Sequence, residues 1–113
     1  MQIIDQNNNA VLAKDGCIAS TFSERIVGLL NRKEFHPGQA LILKHCNSIH
    51  TFFMRFPIDV LFVDKNKKIV KVISALKPFR ISPIYFHASL VIELPTGTIQ
   101  SQSIKEGDML LFK

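Results

Sequence analysis

The chain has 113 residues, 47% hydrophobic and 20% charged, with a net charge of +5. Residues 1–113 are therefore expected to form a single domain with one buried core, which excludes a disordered tract and a two-domain arrangement. No apolar run is long enough to cross a bilayer as a helix, and the start MQIIDQNNNAV lacks the basic and apolar regions of a signal peptide, so a cytoplasmic protein is expected.

In chain order, Gln2 to Asp5 is a short apolar segment, followed by an amide-rich turn, Gln6 to Asn9, and a second segment, Ala10 to Ala13. Asparagine tolerates left-handed turn geometry, so the two segments predict a hairpin. Lys14 to Gly16 reads as another turn, with a strand from Cys17 to Ala19 after it.

Thr21 and Glu24 have the spacing of a capping box, and Phe22, Ile26, Leu29 and Leu30 form an apolar stripe at helical spacing. These signals predict the main helix near residues 22–32. Gly28 within it suits close packing against a sheet.

After the turn His36-Pro37-Gly38, the apolar run Gln39 to Leu43 predicts a buried strand. Pro57 lacks an amide hydrogen and holds Phe56 extended, so a strand from Ile58 to Val63 should begin there. The turn Asp64 to Lys67 leads into a strand Lys68 to Leu76. A long irregular passage, Lys77 to His87, carries Pro78 and Pro83, and passages of that length are often functional. Ala88 to Leu94 reads as a strand stopped by Pro95-Thr96-Gly97. Thr98 to Ser103 then suggests a helical turn, and Met109 to Phe112 a last strand. About seven short strands and one main helix give a β-rich α+β domain whose sheet curls towards a barrel.

Chemistry concentrates between His45 and Asp64, where His45, Cys46, His50, Arg55 and Asp59 crowd against the most hydrophobic strand. His45, Cys46 and His50 are of metal-ligand type, but their spacing is not that of a zinc module, and no metal or other cofactor is expected. Cys46 beside a histidine suggests a nucleophile, while the apolar LILKH before it suggests a small buried residue. Cys17 and Cys46 are read as thiols. His50 oriented by Asp59 would suit acid-base chemistry, but no nucleophile or oxyanion donor accompanies them. The structural alternative pairs Asp59 with Arg25, Arg55, Arg80 or His50.

The reading adopted is binding without chemistry. Arg25, Arg32, Arg55 and Arg80 converge with His50 on a small anionic ligand or a protein partner, because guanidinium groups match carboxylate oxygens in pairs. Asp59 and Glu93 belong to the same candidate site, and Phe52, Phe53 and Phe56 supply apolar walls. Glu93, set in LVIELP, needs a partner or exposure. The alternative is a small enzyme using His50 and Asp59, or Cys46. The lysines at 65, 67, 68 and 71 surround a hairpin turn, where they solubilise and protect an edge. With no RNP or helix-turn-helix pattern, nucleic acid is not expected as a partner.

The segments ERIVGLLNR (24–32), SIHTFFMRFPIDVLFVD (48–64), LKPFR (76–80), VIELPTG (91–97) and IKEGDML (104–110) together resemble the domain-of-unknown-function family 192, small microbial proteins of β-rich fold. The resemblance spans nearly the whole chain after Thr21. It implies the fold class and carries no reaction, cofactor or substrate with it.

Overall fold

The computed structural model describes residues 1–19, 35–52 and 54–113. The helix expected near residues 22–32 lies outside the described residues, as do Arg25, Arg32 and Phe53. The described elements are strands β1 (Ile3–Asp5), β2 (Ala10–Ala19), β3 (Gly38–Lys44), β4 (Ile58–Val63), β5 (Ile69–Leu76) and β6 (Leu90–Pro95), a short helix α1 (Thr98–Ser101), and strand β7 (Leu110–Phe112). The seven strands form one sheet in the order β5-β4-β6-β3-β2-β1-β7. The expected β-rich α+β fold, a curled half-barrel, is what the chain adopts.

Curling brings the sheet's two edges together at one end. Lys68 bridges Met109, and the amides of Ile69 and Leu110 donate to the carbonyls of Asp108 and Lys67 at 2.9 and 2.8 Å. Edge amides that would otherwise invite another chain are paired there.

The hairpin of β1 and β2 forms as read, but Lys14 to Gly16 is not a turn. β2 runs unbroken through it, with Asp15 and Gly16 paired to Gln39 and Ala40, and the register shift between Ala13 and Asp15 accommodates Lys14 as a bulge. The local turn signal yields because β2 gains a parallel partner in β3, far along the chain. Gly16 also lets the first residue approach. A Cβ there would sit 3.2 Å from the Met1 carbonyl oxygen, to which the Gly16 amide donates at 2.8 Å.

Both faces of the central strands are buried, and every residue of β4 and β6 is buried. Such strands read as continuous hydrophobic runs. One face packs Ile3, Ile42, Leu61, Val63, Ile92 and Leu110 with Ile99 of α1. The other packs Leu41, Leu43, Ile58, Val60, Phe62 and Val91 beneath Ile49, Met54 and Ala88 from the loops. Each fully buried side chain of this kind contributes about 1.5–3 kcal/mol, so the two-sided packing of β4 and β6 is the main stabilising feature.

Candidate functional site

Asp59 occupies the aliphatic face of β4 with Leu61 and Val63, as the alternation predicts, and is 1% exposed. Its carboxylate accepts two hydrogen bonds from backbone amides, Ala75 to Oδ1 at 2.8 Å and Ile99 to Oδ2 at 2.9 Å. The first amide sits at an irregularity of β5, where three steps from Ile73 to Leu76 oppose two from Val60 to Ile58. Ala75 there has a φ of 50°. A bulge frees its amide from the ladder, and Asp59 takes it up. The second amide lies in α1. Asp59 thus ties a strand edge to the helix, through backbone amides rather than the arginine or histidine expected from sequence.

Glu93 faces the other way. Val60 pairs with Glu93 and Asp59 with Leu94, so the two carboxylates point to opposite sides of the sheet. Burial alone pushes the Glu93 carboxyl up to about 7. Asp59 and Glu93 therefore do not line one cleft.

The corner itself is built from two antiparallel stretches, 47–51 and 79–85. Thr51, fully buried, is their clasp: its hydroxyl donates to the Lys77 carbonyl at 2.6 Å and accepts from the Arg80 amide at 2.9 Å. Its own amide donates to the Arg80 carbonyl at 2.9 Å, and its carbonyl accepts from Phe79 at 3.0 Å. Buried Ser82 repeats the device, its hydroxyl accepting from Ile49 at 2.9 Å. Tyr85 packs against Phe62 with ring centroids 4.5 Å apart.

On this frame His50, Arg55 and Arg80 stand exposed. His50 stacks on Phe52 at 5.2 Å, and Arg80 rests against the Pro78 and Phe79 carbonyls. The half-buried Cys46 thiol donates to the Ser48 carbonyl at 3.0 Å. His50 Nδ1 receives the Phe52 amide, so its hydrogen bond and those of Asp59 go to separate parts of the fold.

Thr51 and Ser82 escaped the sequence reading, although the HTFF block that contains Thr51 was singled out. So did a carboxyl pair at the far side of the sheet, Asp5 with Asp108, both buried. Burial pushes Asp5 up to about 6, reinforced by the hydrogen bond and charge of Asp108 and opposed by the Asn7 amide and by Lys105. Asp5 Oδ2 finds no donor. A proton on Asp5 supplies one, turning two repelling acceptors into a hydrogen-bonded pair.

Among the described residues, no three histidine, cysteine or acidic side chains gather to hold a metal ion. Among the hollows lined by described residues are two open ones, of about 550 and 540 Å³, between β2 and the Pro95–Gln102 segment and beside His87 and Glu106. Neither includes His50, Arg55, Asp59, Arg80 or Glu93. No helix among the described residues is long and apolar enough to cross a membrane.

The frame is similar to proteins already known. A UPF0127 protein of Pyrococcus furiosus is 36% identical over 98 residues, covering 81% of each chain. Another, from Pyrococcus horikoshii, is 34% identical over 114 residues and covers 96% of each. The crystal structure of a protein of unknown function from Novosphingobium aromaticivorans superposes with a TM-score of 0.83 at 19% identity, over 98% of this chain and 82% of that one, a likeness of fold alone. The profile of DUF192, described as an uncharacterized family, matches residues 3–112, and the chain belongs to that family.

Proposed function

We propose that this protein is a binding module whose recognition face is the rim made by residues 49–52, 54–56 and 77–87, and that it takes a partner carrying negative charge beside apolar surface. The observation that carries this reading is charge segregation. The chain from 35 to 58 and from 65 to 92 contains no aspartate or glutamate, while it contributes Arg55, Lys77 and Arg80 to the rim, all exposed. Cations on stretches of chain that carry no acidic residue attract anionic partners and speed their approach. Phe52 and exposed Phe79 supply apolar contact beside them. Arg25 and Arg32 belong to the same expectation and lie outside the described residues. A cytoplasmic location accompanies the proposal, in keeping with Cys17 and Cys46 forming no disulfide.

Calorimetric titration with octyl phosphate below its micelle concentration, against octyl glucoside as the uncharged control, tests the reading. Octyl phosphate should bind, and Arg80→Gln should weaken it several-fold. Equal binding of both amphiphiles, or none of either, would reject it.

A further inference from the structure

The segment Phe79–Phe86 holds four apolar side chains largely in water: Phe79 is 58% exposed, Ile81 68%, Ile84 54% and Phe86 83%. Single exposed apolar residues are ordinary, whereas four in one short segment mark a contact surface. The backbone beneath them is fixed. Between the outward residues, the amides of Ser82 and Tyr85 donate to the Ile49 and Asn47 carbonyls at 2.9 and 3.0 Å. Ser82 is buried and Tyr85 half-buried. The fold thus holds the segment in place while directing these four side chains outward.

We infer that residues 79–86 are an interfacial anchor by which the protein docks reversibly on an anionic lipid bilayer. The inference rests on reading the rim as a cationic binding face and adds the class of partner. Charge complementarity supports it first: Lys77 and Arg80 flank or interrupt the apolar residues, and no acidic residue occurs from 65 to 92. Segments that bind at the bilayer surface combine apolar side chains, which enter the headgroup and acyl boundary, with cations that meet anionic headgroups.

The shape of the segment supports it second. Its apolar side chains stand more than half exposed and are separated by Ser82 and Tyr85, which turn inward. A rigid protein partner would need a matching recess for each, whereas fluid acyl chains close around separate protrusions. Long lysine and arginine stems can lie along the apolar layer with their charges at headgroup level.

Co-sedimentation of the full chain with vesicles tests the inference. Vesicles of phosphatidylglycerol and phosphatidylcholine should capture the protein, vesicles of phosphatidylcholine alone should capture much less, and added salt should weaken capture. Ile81→Ser with Phe86→Ser, at exposed positions, should reduce partitioning by about tenfold or more with an unchanged melting temperature. Capture that survives this double variant would be charge adsorption alone and would overturn the anchor. If octyl phosphate binds at the rim but neither vesicle captures the protein, the bilayer is wrong, the cationic rim stands, and a soluble acidic partner takes its place. Loss of both kinds of binding would overturn the rim reading itself.

Discussion

Asp59 and Ala75, on neighbouring strands and 16 residues apart in sequence, are joined by a 2.8 Å hydrogen bond from the Ala75 amide to the buried carboxylate. Its other oxygen accepts from Ile99, so one side chain fastens both the β5 irregularity and α1. Asp59→Asn keeps the size but turns one acceptor into a donor facing a buried N–H. It should destabilise the fold by about 1–3 kcal/mol, and Asp59→Ala, which loses both charge-assisted bonds, by about 3 kcal/mol or more. Urea denaturation measures this, and an unchanged midpoint would contradict a structural role for Asp59.

Thr51 carries the second prediction. Its hydroxyl links the 47–51 stretch to the Lys77 carbonyl and the Arg80 amide. Thr51→Val preserves the shape, strands the Arg80 amide and the Lys77 carbonyl, and should cost about 1–3 kcal/mol. Hydrogen exchange should quicken at Phe79, Arg80 and Ser82 before the rest of the sheet. Uniform quickening throughout the protein would mean that the clasp is not local.

The third prediction concerns pH. Asp5 and Glu93 are raised in the folded state to about 6 and about 7, from 3.8 and 4.5. Between those limits the folded protein holds more protons than the unfolded chain. These groups therefore contribute stability that is present at about pH 4 and is lost as pH rises through about 6 and then about 7. Glu93→Gln, neutral at every pH and similar in shape, should remove the part of the decline near pH 7 and be more stable than the parent at pH 8. Thermal melts across the range decide it. A Glu93→Gln protein less stable than the parent at pH 8 would show that the ionised carboxylate is needed.

The fold was largely legible because hydrophobic runs and turn residues agree with it. The strand read from Ile58 to Val63 is β4, and the segment Thr98 to Ser103, read as a helical turn, holds α1. The continuity of β2 was not legible, since Lys14 to Gly16 reads locally as a turn and only the distant pairing with β3 extends it. One relation within the candidate site was not legible, for a geometric reason. Asp59 and Glu93 were assigned to one candidate site, but pairing of Val60 with Glu93 sends the two carboxylates to opposite faces. The Asp5–Asp108 pair joins the two ends of the chain, and nothing in either neighbourhood announces the other.

The rim follows from two facts of different origin: cations without acidic neighbours, visible in sequence, and a hydrogen-bonded loop that turns its apolar side chains outward, visible only in the fold. An amide chemical-shift map of the labelled protein, titrated with octyl phosphate below its micelle concentration, tests that combination most directly. The account predicts that shifts concentrate at residues 49–52, 54–56 and 77–87. Shifts concentrated instead around either hollow, near Gly97 and Gln102 or near Gly107, would contradict it.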